Sequence, residues 1–298
     1  MPTMSLSQLL GPATESLLRA CPTEPVLHRR SGSALDREIT LQLIDRHIDH
    51  GLLDPASTAA VRDGRAAHPG RFSRDGRMRP GKLRELLDEG YTVNLRELQR
   101  TVPHLAELCR AIREETGYTL HASGIVTPPG GRGLGHHWDQ FTAVVTQLHG
   151  RKVWPVRRPE VELPLDDYLV SPVMWTREMQ DRWDTTEPYA EYDLGPGDTL
   201  VLPRGWVHSP HNTGGTTTSF HLTFALRERT VLDLAEALVA TALPKTEFRA
   251  GIAPADLGEE ALPRTLRDVR RALVAHLDET DVTAAAAVIH AGLTGRPA

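Results

Sequence analysis

The chain has 298 residues, with 34 Lys and Arg against 39 Asp and Glu, which excludes a short peptide scaffold and a polybasic tail protein. Apolar residues make up 40% and charged residues 24%, near the globular average, so the composition supports a buried core and argues against general disorder. Cys21 and Cys109 are too few for a disulfide framework or an all-thiolate zinc site and suit a reducing compartment, so a cytoplasmic location is expected. The opening MPTMSLSQLLGPATESLLRA has no basic n-region followed by an apolar h-region. No stretch approaches the roughly eighteen uncharged apolar residues of a spanning helix, so no membrane partner is expected, and no nucleic-acid partner either.

In chain order, Ile39, Leu43, Ile44 and Ile48 follow helical spacing, and Leu95, Leu98, Val102, Leu105, Leu108, Cys109 and Ile112 repeat it with Pro103 inside. Residues 1–117 are therefore expected to form a largely helical segment. Between these helices, residues 62–84 carry Arg62, Arg65, Arg71, Arg74, Arg77, Arg79, Lys82 and Arg84, a basic loop whose plain reading is solvation and whose functional reading is an acidic or phosphate contact. From Tyr118 the texture changes to short β-favouring runs separated by turns: YTLHASGIVTPPGG, FTAVVTQLHG, RKVWPV, DTLVLPRG and SFHLTFAL. An all-β module over 118–228 follows. Residues 155–196 are acid-rich, either a solvated insertion or an acidic rim that attracts a cationic substrate. After Leu226 the stripes Val231/Leu234/Leu238 and Leu266/Val269/Leu273/Leu277 predict a helical segment over 229–298.

Three features of the β region carry chemistry. In His137-Trp138-Asp139 the imidazole and carboxylate are two apart, so on an extended chain they point to one side and reach one metal ion. In GDTLVLPRGWVH a strand ends at a Pro/Gly turn that presents His208. Lys152 follows the His149-Gly150 turn. Two imidazoles and one carboxylate on one face of a metal leave open positions, as in non-haem Fe(II) oxygenases. Zinc hydrolysis competes, because zinc accepts the same ligands. Each element alone is weak; their joint occurrence in this order is more specific. His136 points away from its neighbour on an extended chain, and His211 reads as a loop residue. Trp154 and Trp206 read as packing residues, while Trp175 and Trp183 lie in the acidic segment and are candidates to shape a substrate groove.

TPPGGRGLGHHWDQFTAVVTQLHGRKVW, LGPGDTLVLPRGWVHSP and SFHLTFAL together resemble the double-stranded β-helix of JmjC and cupin hydroxylases, closest to the bacterial ribosomal-oxygenase branch. The likeness runs from about Gly90 through Leu226. It implies a jelly roll with helical ends, His137, Asp139 and His208 as Fe(II) ligands, and Lys152 as the partner of the distal carboxylate of 2-oxoglutarate. Across a simple hairpin Lys152 would lie about 26 Å from the metal at roughly 3.3 Å per residue, so only a crossover to the facing sheet brings it near. Ser123, Ser219 and His221 match positions near the co-substrate, with a hydrogen-bonded core role as the competing reading for His221. Ser123 stands where that branch usually has Asn, Ile125 replaces a common Tyr, Trp138 sits inside the metal motif, and Gln140 follows it where an acid is frequent. These departures separate metal chemistry from substrate identity.

The resemblance implies an enzyme using Fe(II), 2-oxoglutarate and O2 to hydroxylate a residue of a protein or peptide. The alternatives are a small-molecule tailoring hydroxylase, demethylation as a variant of the same chemistry, and a non-enzymatic metal-binding cupin. The residues after Leu226 fit a helical dimerisation segment but not also a winged helix, so a short form acting as a homodimer is expected.

Overall fold

Eleven short runs of β-favouring sequence pair into two sheets, and the alternation within each run decides what each sheet face does. In chain order they are β1 (Val26–Arg29), β2 (Thr58–Arg62), β3 (Arg65–Ala66), β4 (Thr92–Leu95), β5 (Thr119–Thr127), β6 (Thr142–His149), β7 (Lys152–Arg157), β8 (Ala190–Leu194), β9 (Asp198–Leu202), β10 (Val207–His208) and β11 (Ser219–Arg227). The computed structural model describes residues 5–29, 34–165 and 176–294. Its major sheet runs β1-β9-β6-β11-β5-β4-β2-β3 and its minor sheet β8-β7-β10, with antiparallel pairing throughout both. This is the expected jelly-roll architecture.

Successive strand residues face opposite sides. From β11, Phe220, Leu222, Phe224 and Leu226 enter the main hydrophobic core, joined by Ala122 and Val126 of β5 and by Val93 and Leu95 of β4. The intervening residues, His221, Thr223 and Ala225 of β11 with His121, Ser123 and Ile125 of β5, line a cavity on the opposite face. Gly124 lies on the core face because a Cβ there would come within 2.6 Å of the Leu98 side chain. Helices close the core. Leu41–His50 buries Ile44 and Ile48 after Thr40 caps it by accepting the Leu43 amide at 3.2 Å. Lys82–Asp88 contributes Leu83, Leu86 and Leu87, and Pro103–Thr116 contributes Leu105, Leu108, Cys109 and Ile112. Each such fully buried side chain stabilises by about 1.5–3 kcal/mol.

Residues 1–117 are more mixed than a helical segment, because β1 to β4 belong to the major sheet. The helical-looking run from Leu95 also divides: Leu95 ends β4, Leu98 sits in a single 3-10 turn, and Pro103 starts the next helix at the position where its missing N–H costs nothing. The basic loop is partly neutralised within the fold. Arg71 pairs with Glu89 at 2.7 Å, Arg84 with Asp45 at 2.5 Å and Asp49 at 2.9 Å, and Arg62 lies over the Tyr91 ring.

Two units divide the chain, Met1–Glu228 and Arg229–Ala298. The second is built of the helices Val231–Ala240, Leu262–Glu279 and Val282–Thr294. Thr230 and Asp233 cap the first of these reciprocally, the Thr230 amide donating to the Asp233 carboxylate at 2.7 Å and the Asp233 amide to the Thr230 hydroxyl at 3.1 Å. Among the described residues no helix is long and apolar enough to cross a membrane.

Candidate metal centre and ligand cavity

The two imidazoles of the expected triad are held side by side by backbone pairing. The His137 amide donates to the His208 carbonyl at 3.1 Å and the His208 amide returns a bond to the His137 carbonyl at 2.8 Å. β10, which carries His208, is itself paired to β7, and the Gly205 amide ties the turn before it to the Asp139 carbonyl at 2.9 Å. The result brings the donor atoms of His137, Asp139 and His208 within 4.8 Å of one another. His208 Nε2 lies 3.6 Å from the Asp139 carboxylate, and the two imidazole centroids are 4.2 Å apart.

Hydrogen bonds set the tautomers. His137 Nδ1 donates to the Gly135 carbonyl at 2.8 Å, and His208 Nδ1 to the Trp206 carbonyl at 3.0 Å. A carbonyl only accepts, so each Nδ1 carries a proton, which leaves Nε2 as the nitrogen available to a metal, as outer-shell partners arrange in metal sites. Burial, then the neighbouring His137, holds His208 well below its usual range, and burial raises the Asp139 carboxyl above its own. A neutral His208 imidazole beside a desolvated carboxylate is a donor arrangement that a divalent metal stabilises. The three residues therefore fit a metal ion with open positions facing the cavity.

That cavity, of about 590 Å³, is lined by the triad together with Lys152, Ser123, His221 and Trp154 among others. Lys152 reaches it because the chain crosses between sheets: β6 lies in the major sheet, Gly150 turns at φ 62° where a Cβ would strike the Thr218 carbonyl, and β7 starts the minor one. The Lys152 ammonium is buried and donates to the Thr127 hydroxyl at 2.7 Å. Desolvation lowers its pKa to about 7. No carboxylate pairs with it among the described residues, so the site suits an anionic ligand that would restore its charge.

Of the other residues expected at the co-substrate, Ser123 and His221 line the cavity, while Ser219 does not. The Ser219 hydroxyl accepts from Gln147 Nε2 at 2.9 Å, at the strand end where β11 runs beyond the cavity. His221 is buried, held neutral by burial first and by Lys152 second, and its Nδ1 has no partner. Trp154 is not merely packing. Its ring stacks on His208 with centroids 5.6 Å apart, and its buried Nε1 lacks a partner. Asn94, which the sequence reading passed over, presents a third unpartnered buried atom, its Oδ1. Three orphaned polar atoms on residues lining one cavity mark a place for a polar ligand. Their signal in the sequence was strand parity: Asn94, Trp154 and His221 all sit on inward-facing positions.

His136 turns away from the centre, its Nε2 3.2 Å from Asp184, and His211 Nδ1 bonds the Thr213 hydroxyl at 2.9 Å. Trp206 packs, donating from Nε1 to the Thr23 carbonyl at 3.1 Å. Trp183 is core rather than groove: it is 2% exposed, meets Trp138 edge-on, and donates to Glu160 at 3.1 Å. Trp175 lies outside the described residues. The acidic rim is not found at the cavity, since none of the described residues of 155–196 lines it. Two of its acids are spent internally, Glu160 on Arg182 at 3.0 Å and Asp193 on Arg151 at 2.7 Å.

Two facing sheets with a His-x-Asp…His donor set at the mouth define a double-stranded β-helix of the JmjC type. Residues 94–234 match the JmjC domain family. Rat ribosomal oxygenase 1 is 31% identical over 184 residues, covering 59% of this chain and 30% of the rat protein. The bifunctional lysine-specific demethylase and histidyl-hydroxylase NO66 of Caenorhabditis elegans is 31% identical over 172 residues, covering 56% of this chain and 22% of its own. The chain thus spans under a third of the length of these curated relatives. Among solved structures, the Escherichia coli ribosomal oxygenase YcfD in complex with cobalt and 2-oxoglutarate superposes with a TM-score of 0.56 at 17% identity, covering 91% of this chain and 68% of that one. That is a likeness of fold.

Proposed function

We propose that the chain is an Fe(II)- and 2-oxoglutarate-dependent oxygenase that hydroxylates a residue of a protein or peptide. One observation carries the reading: a three-residue metal donor set and a buried lysine without a counter-charge open into the same cavity. His137 and His208 through Nε2, with the Asp139 carboxylate, hold iron. Bound there, iron(II) with 2-oxoglutarate and O2 supplies the oxidation, which releases succinate and CO2. Lys152 and the Thr127 hydroxyl bind the distal carboxylate of 2-oxoglutarate, a charge-assisted contact made stronger by burial. Ser123 and the unpartnered groups of His221 and Trp154 orient the co-substrate, and Ile125 and Val145 exclude water beside it.

A protein or peptide substrate is supported by the names of the relatives, a ribosomal oxygenase and a histidyl-hydroxylase. The catalytic unit works as a homodimer through its C-terminal helices, a reading supported by the apolar residues those helices leave exposed. Both cysteines are free, which suits a reducing, cytoplasmic setting. Succinate release from 2-oxoglutarate by the iron-loaded protein, with one oxygen atom added to a peptide detected by mass spectrometry, tests the activity. A protein that binds metal but forms no succinate with any peptide or metabolite fraction is a binding cupin instead.

A further inference from the structure

The cavity is lined by two separated cations, Lys152 at one end and Arg96 near His121 at the other, and 2-oxoglutarate can occupy only one end. Lys152 sits against Thr127, while His121 lies on the same face of β5, six residues away along the strand. Six residues of strand span about 20 Å at roughly 3.3 Å each. A five-carbon diacid spans about 6 Å along its four C–C bonds of about 1.5 Å. The charge at the far end therefore serves another ligand.

That end is built across adjacent strands. Arg96 extends β4, His121 lies on β5, and Phe141 immediately precedes β6; all three line the cavity. The His121 and Phe141 rings meet edge-on at 5.9 Å, and the Arg227 guanidinium lies over Phe141 at 5.8 Å. Register places Ala225 opposite His121, so Arg227 falls one step outward on the same face of β11. Burial first, then Arg227 and Arg96, lowers the His121 pKa against the opposing Glu97, which places both guanidinium groups within its field. Among the described residues, Glu97 pairs with Arg100 at 3.0 Å, and Glu228 accepts from the Thr142 hydroxyl. Among the described lining residues Asp139 is the acid, and it belongs to the metal set, whereas Arg96 and Lys152 are cations.

We infer that the substrate presents a carboxylate, held at the outer end of the cavity by Arg96 and His121 with Phe141 as the apolar floor. This rests on the oxygenase reading for the reaction, but the charge preference is a property of binding alone. It reverses the expectation of a cationic substrate drawn to an acidic rim. The carboxylate belongs to an acidic peptide or to a free acylated amino acid.

The test uses the full chain, anaerobic, with iron(II) and 2-oxoglutarate, and measures binding of three pentapeptide pools identical except for a central Asp/Glu, Asn/Gln or Lys/Arg. N-acetylglutamate is titrated alongside. The acidic pool binds at least about tenfold more tightly than its amide counterpart, the loss expected on removing a charge-assisted pair. Arg96→Gln reduces that preference to under about twofold, and Arg96→Glu turns it toward the Lys/Arg pool, an inversion that misfolding cannot mimic. N-acetylglutamate binding as tightly as the acidic pool assigns the carboxylate to a small acid; weaker binding assigns it to a peptide. Equal or tighter binding of the amide or basic pool to the unaltered protein overturns the inference, as does an Arg96→Glu variant that still prefers acid. Binding of 2-oxoglutarate in the same samples is scored separately, so its absence sinks the oxygenase reading and leaves the pool comparison readable.

Discussion

The two units handle apolar side chains in opposite ways. In residues 1–228 strand parity divides each inner strand between a close-packed core and a cavity, and Phe220, Leu222 and Phe224 are fully buried while their neighbours His221 and Thr223 line the site. In residues 229–298 the helices bury little: Ala242, His276 and Ala285 are the buried side chains among the described residues, while Val231 is 87% exposed, Leu266 57% and Val282 66%. A sheet closed on a second sheet satisfies its hydrophobic faces internally, whereas amphipathic helices without a third layer leave a stripe in water. The first unit thus has the means to hold a rigid site, and the second has a surface that gains from a partner.

The largest expected effect breaks the site and spares the core. His137→Ala, Asp139→Ala and His208→Ala each reduce succinate formation to background, and Asp139→Ala leaves the melting temperature of the metal-free protein unchanged or raised, because it removes a carboxyl whose burial outweighs the nearby charges. Turnover surviving in any of the three refutes the ligand set. Next comes the core itself. Phe224→Ala costs about 3–5 kcal/mol in denaturant unfolding, against about 0.5 kcal/mol or less for the exposed Leu52→Ala of the same unit. Similar values for both would refute the division between core and surface.

Assembly sharpens the contrast from the other side. Leu234→Asp combined with Leu266→Asp halves the mass seen by light scattering without lowering the melting temperature of the first unit; a monomeric parent chain ends the dimer proposal. Lys152→Met then weakens 2-oxoglutarate at least about tenfold by calorimetry, the worth of a charge-assisted pair of about 1.5–3 kcal/mol. The smallest effect is on pH. With a pKa near 7 in the empty cavity, Lys152 is protonated below that pH and must take up a proton to pair with a carboxylate above it. Affinity for 2-oxoglutarate is therefore flat below about pH 7 and falls by up to about tenfold per unit above it, with proton uptake visible in buffers of different ionisation enthalpy. Lys152→Met abolishes that slope.

Much of this was legible in residue order. The β texture from Tyr118, the spacing in His137-Trp138-Asp139 and the turn before His208 are local features, and local features survive translation into structure because strand parity and turn chemistry act over a few residues. Pro103 was misplaced within a helix because a period of three to four cannot by itself separate a strand end, a 3-10 turn and a helix start. β1 to β4 were missed for a related reason: strands of two to five residues offer too little alternation to outweigh neighbouring helical runs.

What the sequence determined unaided was therefore the kind of chemistry: donor atoms of the right type, at local spacings that bring two of them to one side of the chain. What only the tertiary structure decided was how charges meet. Glu160 and Asp193 are spent on Arg182 and Arg151, Ser219 falls beyond the cavity, and Arg96, His121 and Phe141 are brought to its lining from separate parts of the sheet. Charge pairing depends on distance in space, and sheet pairing brings together residues that sequence separation keeps apart.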